Sequence, residues 1–263
     1  GTRILINVLK GKGFDTKNLQ ITGIKYSDIF SEEDLKNIYG FCKDYDVIGL
    51  SFNSFYSILA SQLARYLKSK GVKWLIAGGH HATAMPDEVI EYSDIVVIYE
   101  AELTLLKLLE RLKGGIPLHD VPGIMFKDEF GKIKKTTDRV EIVTNLDNIP
   151  FQSFSSGDIV YYDFAKSGFD KPEIYDMFPH GGKNYFILTS RGCPFECSYC
   201  CSSLYAKFNK EALKIRKRSV TNIISEMIIA KKAGFKGFYI ADDNFFAFCI
   251  EGLRIFSDLD KSK

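Results

Sequence analysis

The chain has 263 residues, with 35 Lys and Arg against 33 Asp and Glu, a formal net charge of +2 and 46% hydrophobic residues. That balance leaves no electrostatic footprint for nucleic acid, and no apolar run approaches the roughly 20 residues that span a bilayer. Six cysteines with no secretory signal and no even scatter exclude a disulfide framework and suit a reducing, cytoplasmic setting.

In chain order, residues 3–7 and 46–51 read as apolar strands. Residues 55–70 carry Phe55, Ile58, Leu59, Leu63, Tyr66 and Leu67 on one helical face. Residues 72–79 return as a strand, Pro86 opens a short helix, 95–98 form a strand and 102–112 a helix. A stretch from Val121 through a hairpin at Gly131 closes the segment. This alternation predicts an α/β domain over 1–145 built on a doubly wound parallel sheet. Ligands of such sheets sit beyond the C-terminal strand ends. Here those ends are Ser51-Phe52-Asn53-Ser54, Gly78-Gly79-His80-His81 and Tyr99-Glu100-Ala101-Glu102. The paired glycines permit close approach of backbone to a bulky ligand. The stretch from Asn7 to the Ile21–Ile24 region is short for a full helix between the first two strands.

Residues 146–183 mix aromatics with Gly, Pro, Asp and Ser and read as a connector. Its Tyr161, Tyr162, Phe164, Tyr175 and Phe178 are expected to pack between domains. A buried strand follows over 185–189 and breaks at Arg191-Gly192-Cys193-Pro194. There begins the spacing C-x3-C-x2-C, made by Cys193, Cys197 and Cys200. Three thiolates on an iron–sulfur cluster leave one iron open to a substrate or cofactor, which four do not. A structural zinc ion normally takes four ligands in two short pairs. Cys42 and Cys249 are distant in sequence, and Cys201 diverges from its neighbour Cys200, so iron–sulfur is the stronger reading. Residues 219–233 have helical apolar spacing and 235–241 form the next strand, which runs into Asp242-Asp243-Asn244-Phe245. Those polar side chains can accept from an ammonium group, or they can cap a following helix.

The cysteine segment resembles the cluster loop of the radical S-adenosylmethionine (SAM) enzymes. Residues 1–145 resemble the cobalamin (B12)-binding domain that precedes the barrel in one large class of them. That match runs through residues 48–51, 78–83 and 94–98 and the helix after Glu102. The resemblance implies a [4Fe–4S] cluster on Cys193, Cys197 and Cys200, with SAM on the fourth iron. Tyr199 would lie beside the adenine, and Asp242, Asp243 or Asn244 would take the amino group. Cobalamin would lie over Ser51, Phe52, Asn53, Gly78, Gly79, His80 and Glu100. The implied activity is reductive cleavage of SAM to a 5′-deoxyadenosyl radical, then methyl transfer through cobalamin to an unactivated carbon. A flavodoxin- or ferredoxin-type electron donor and a small-molecule or peptide substrate are the implied partners.

Besides the short stretch from Asn7 to the Ile21–Ile24 region, two features depart from that pattern. The Asp-x-His-x-x-Gly motif is missing, so neither His80 nor His81 is carried over as a cobalt ligand. The family's Gly-Glu-Gly-Glu turn reads Tyr99-Glu100-Ala101-Glu102 here. Residues 184–263 suffice for two strand–helix units of the family's partial TIM-type barrel, so the sequence reads as cut within the barrel. Two alternatives remain: a cobalamin-independent radical SAM enzyme such as a methylthiotransferase, and a non-catalytic cluster- or corrinoid-binding fragment.

Overall fold

A computed structural model describes residues 1–25, 28–152, 157–170 and 184–245. These fall into two units, 1–142 with 157–170, and 143–152 with 184–245.

The first unit contains, in order, α1 (Thr2–Lys10), β1 (Asn18–Thr22), α2 (Glu32–Cys42), β2 (Val47–Ser51), α3 (Ser57–Ser69) and β3 (Trp74–Gly78). There follow α4 (His80–Ala84), α5 (Pro86–Val89), β4 (Ile95–Val97), α6 (Glu102–Gly114), β5 (Ile124–Lys127), β6 (Ile133–Lys135), β7 (Ile159–Asp163) and β8 (Gly168–Asp170). The first element corrects the expected strand over residues 3–7. Arg3, Ile6 and Leu9 lie three apart and are the buried residues of α1, a spacing that suits one helical face. The strand comes later, at β1, and Arg3 reaches across to it by donating to Gln20 Oε1 at 2.8 Å.

β2, β3 and β4 pair in parallel, in register Val47↔Trp74 and Ile76↔Ile95. β4–β5 and β5–β6 are antiparallel, and the order β2-β3-β4-β5-β6 follows the chain. The expected doubly wound sheet is therefore replaced, among the described residues, by a mixed sheet with no reversal of strand order. The cause is local. Asp128 Oδ1 accepts from the amides of Phe130 and Lys132, closing a tight hairpin before β6. A tight turn can return a strand only antiparallel. The core of this sheet packs Ile76, Ile95, Val97, Leu108, Ile124 and Phe126.

β1 stands apart, in a three-stranded sheet ordered β1-β7-β8. It pairs in parallel with β7, Asn18 opposite Ile159. Residues 157–170, read from sequence as connector, thus belong to the first unit. Tyr161 and Tyr162 are buried there, and Phe164 meets Phe30 at 5.6 Å. Tyr175 and Phe178 lie outside the described residues.

The second unit contains β9 (Asn184–Ile187), β10 (Ser190–Arg191), α7 (Cys201–Tyr205), β11 (Arg216–Lys217), α8 (Val220–Lys232) and β12 (Gly237–Ile240). β9 and β12 are parallel neighbours, Tyr185 opposite Phe238 and Ile187 opposite Ile240. Ser219 caps α8 by accepting from the Asn222 amide, and α8 buries Ile223, Met227 and Ala230 against Tyr185, Ile187 and Phe235. Beneath this face Tyr185 donates to Glu226 Oε1 at 2.7 Å, and Arg218 pairs with Glu226 Oε2. Strand, helix and strand therefore form as their periodicity predicts. No helix among the described residues is long and apolar enough to cross a membrane.

One buried pair in the first unit makes its stability pH-dependent. The Tyr162 hydroxyl donates to Asp34 Oδ1 at 2.6 Å. Burial pushes the Asp34 carboxyl up, but hydrogen bonds from Ser31 and Tyr162 outweigh it and hold the group below its ordinary value. Tyr162 is pushed up to about 12, first by burial and then by the bond to Asp34. A carboxyl depressed in the folded state stabilises above its unfolded pKa, and that share is lost as pH falls through the folded value. Tyr162→Phe is expected to cost about 1–2 kcal/mol at neutral pH. In a pH series of urea unfolding, variant and wild type should converge on acidification; parallel curves would remove Asp34 from the account.

Candidate functional site

The loop between β10 and α7 carries the three cysteines. Gly192, at φ +99°, turns the chain out of β10. Cys193, Cys197 and Cys200 are all partly exposed and in no disulfide. The Cys200 amide donates to Cys197 O at 3.1 Å, and the Ser203 hydroxyl lies 2.9 Å from Cys197 O and 2.7 Å from Cys200 O. Turn and hydroxyl together fix the C-x2-C half of the loop. Tyr199 is 90% exposed, and its phenol is raised by the neighbouring Cys197, through charge and a hydrogen bond.

Among the described residues, no group of three or more His, Cys, Asp or Glu is drawn together around a single-ion site. A multi-iron cluster gives each thiolate its own iron, so its ligands need not crowd one point. Three unpaired, partly exposed thiols within eight residues fit such a cluster in donor type and number. The remaining cysteines are set differently. Cys42 is buried in the first unit, which pushes its thiol up to about 11; Cys201 opens α7; Cys249 lies outside the described residues.

Asp242, Asp243 and Asn244 follow β12 directly and meet this loop. Asp242 Oδ1 accepts from the Thr189 amide at 2.7 Å, while Oδ2 accepts from the Thr189 and Ser190 hydroxyls. Asp243 accepts from the Gly192 amide at 3.1 Å and from the Ser202 hydroxyl at 3.3 Å. Asn244 Nδ2 stands 4.0 Å from Cys193 Sγ. The sequence reading missed Thr189, Ser190, Ser202 and Ser203. Their one signal was a row of hydroxyls flanking the cysteines.

In the first unit, three loops leave the C-terminal ends of the parallel strands β2, β3 and β4, and the ladder sets Ser51 opposite Gly78. Ser51, Asn53 and His80 are exposed, Phe52 is buried and Glu100 is half-buried. Asn53 Oδ1 accepts from the Phe55 amide, an Asx cap on the turn that follows. Gly79 sits at φ +95°, where an added Cβ would meet Phe52 O at 2.8 Å and Phe52 N at 3.0 Å. Its close approach is therefore to the protein's own backbone and not to a ligand. Gly78 has only ordinary contacts. His81 is buried, its amide donating to Phe52 O and its Nδ1 3.0 Å from Ser54 Oγ. Thr83 joins two of the loops: its hydroxyl donates to Gly79 O and accepts from the Tyr99 amide, both at 2.9 Å. Tyr99 holds φ +68° where the resembled family has glycine. Phe55, Ile58 and Met85 leave this rim apolar and exposed.

No family model matches the chain. It is 30% identical over 244 residues to an uncharacterised methyltransferase of Pyrococcus horikoshii, covering 85% of this chain and 48% of that protein. It is 27% identical over 225 residues to the cytidylyl-2-hydroxyethylphosphonate methyltransferase of Streptomyces wedmorensis, covering 76% and 40%. The chain thus spans about half the length of these relatives or less. Among solved structures, the radical S-adenosylmethionine methyltransferase TsrM from Kitasatospora setae matches at TM-score 0.71 and 15% identity, over 99% of this chain and 47% of that one. The cobalamin-dependent S-adenosylmethionine radical enzyme OxsB matches at TM-score 0.61 and 20% identity, over 90% and 35%. At these identities the structural likeness is one of fold, a mixed α/β fold with parallel sheets.

The glycine pair yields a direct check. Gly79→Ala places a Cβ against backbone at positive φ and is expected to cost about 2 kcal/mol or more. Gly78→Ala should stay within about 1 kcal/mol. Thermal unfolding of the two variants reads the difference, and equal effects would refute the packing assigned to Gly79.

Proposed function

We propose that the chain is the front part of a radical SAM methyltransferase. In this reading the first unit is a Rossmann-like, B12-binding type domain, and the second opens a partial TIM-type barrel. The observation that carries it is the loop bearing Cys193, Cys197 and Cys200, unpaired and seated at the end of the β9–β12 ladder. The methyltransferase relatives and the fold shared with TsrM and OxsB support it.

The three cysteines would hold the cluster, which when bound supplies the electron for reductive cleavage of SAM. Tyr199 offers an exposed ring beside the loop for an adenine face. Asn244, next to Cys193, offers an amide to the methionine end of SAM. Cobalamin would lie on the rim formed by the exposed Ser51, Asn53 and His80 and the half-buried Gly78 and Glu100, over Phe52 and Gly79 beneath. The buried His81 is turned into the protein and is no cobalt ligand. The reading includes a flavodoxin- or ferredoxin-type donor, a small-molecule or peptide substrate and a cytoplasmic setting.

Anaerobic reconstitution with iron, sulfide and hydroxocobalamin, followed by gel filtration, tests it. The expected spectrum has a broad iron–sulfur shoulder and retained corrinoid bands. A shoulder without corrinoid would reduce the first unit to a scaffold; neither feature, from folded protein, would sink the proposal. Cys197→Ala is expected to lose the cluster, and a full iron and sulfide complement in that variant would overturn the ligand assignment.

A further inference from the structure

We infer that Asp242 is a positioning residue: its carboxylate latches the cysteine loop to the β9–β12 ladder and is not an acceptor for the ammonium of SAM. The inference rests on the cluster reading of Cys193, Cys197 and Cys200, but the latch itself is a property of the protein alone.

Where the two strands end, the Ala241 amide donates across them to Ile187 O at 2.9 Å. Two residues on, Thr189 still carries a backbone N–H, and it is 1% exposed. A buried N–H requires a partner. Asp242 Oδ1 provides it, so a side chain adds one further rung where the strands part. Two more buried donors, the hydroxyls of Thr189 and Ser190, converge on Oδ2 of the same group. Thr189 O, in turn, accepts from the Arg218 amide at 3.0 Å, and Leu188 O accepts from the Arg218 guanidinium at 2.8 Å. The residues entering the cysteine loop are thus held from both sides before any cofactor is present.

An ionised carboxylate has about four lone-pair sites. Asp242 has three of them filled by donors that would be left buried and unpaired if it turned to a ligand. Asp243 differs: it is exposed, holds Gly192 and Ser202 at longer distances, and keeps acceptor capacity toward solvent. The two adjacent aspartates therefore divide the work. Asp242 sets the loop, while Asp243 and Asn244 face what binds above it.

The test uses three variants of the full chain. A latch depends on shape and hydrogen bonding, so Asp242→Asn should substitute for it: the amide oxygen still accepts from Thr189 N, and the hydroxyls reverse to accept from the NH2 group. Asp242→Ala cannot. Hydrogen exchange on apoprotein is expected to be accelerated about tenfold or more over residues 188–203 in Asp242→Ala. Asp242→Asn should stay near wild type, and exchange in β2–β4 should be unchanged in both. On reconstitution, Asp242→Ala should retain less than about half the wild-type iron, and Asp242→Asn most of it, with SAM affinity preserved. Ser190→Ala, which removes one of the three bonds, should give an intermediate exchange rate, and it carries the test if Asp242→Ala fails to fold. Unchanged exchange in both alanine variants would overturn the latch. So would an Asp242→Asn protein that loads its cluster normally but binds SAM about tenfold more weakly, since that marks a lost charge contact with the ammonium. Wild-type protein that takes up no cluster at all would sink the proposed function, while the exchange measurement would still decide the latch.

Discussion

Thr189 and Ser190 are each 1% exposed, and everything described around the cysteines depends on how their donors are satisfied. A parallel ladder ends where its strands part, and the first residues past that point must find other partners or be solvated. Here both are buried, so Asp242 from the neighbouring strand end takes the amide and both hydroxyls. The same stretch is held by Arg218, which lies between β11 and α8 and is itself neutralised by Glu226 of α8. Glu226 also accepts from Tyr185, and burial is the main cause of that phenol's strongly raised pKa, with Glu226 adding to it. A chain of polar contacts thus runs from the core of the second unit to Thr189 and Ser190, where the backbone enters the cysteine loop. Such a chain holds its members firmly when every one is satisfied.

The periodic signals carried the larger elements. α3 buries Leu59, Leu63 and Leu67 of its expected face, but Phe55 precedes the helix and both it and Ile58 are exposed; α8 buries Ile223 and Met227. The strands β2, β3 and β4 were legible as continuous apolar runs. Short runs were not. Residues 3–7 are as apolar as a strand, and helix and strand cannot be separated by periodicity over five residues. β7 and β8 were hidden by the polar and glycine-rich composition around them, because what makes β7 a strand is its partner β1, some 140 residues away.

The cysteines were legible because their meaning lies in local spacing. The partners of Asp242 were not, since they depend on which strands become neighbours. Gly79 was legible as a special position, but its physical cause was misplaced: its missing Cβ makes room for the Phe52 backbone. Thr83 had no local signal at all, yet its hydroxyl joins the loop after β3 to the strained Tyr99 after β4. Sequence marks where backbone is unusual, and packing decides what the unusual backbone is for.

The pairing of β1 with β7 also bears on synthesis. The stretch 143–152, which belongs to the second unit, lies between two segments of the first. During translation β1 emerges early and must wait for residues 159–163 before its ladder can form. A break near residue 145 would therefore not release a complete first unit, because it would strand β1 with an open edge. Such an edge is a template for pairing with other chains, so the nascent protein is most exposed to self-association in the interval before β7 arrives.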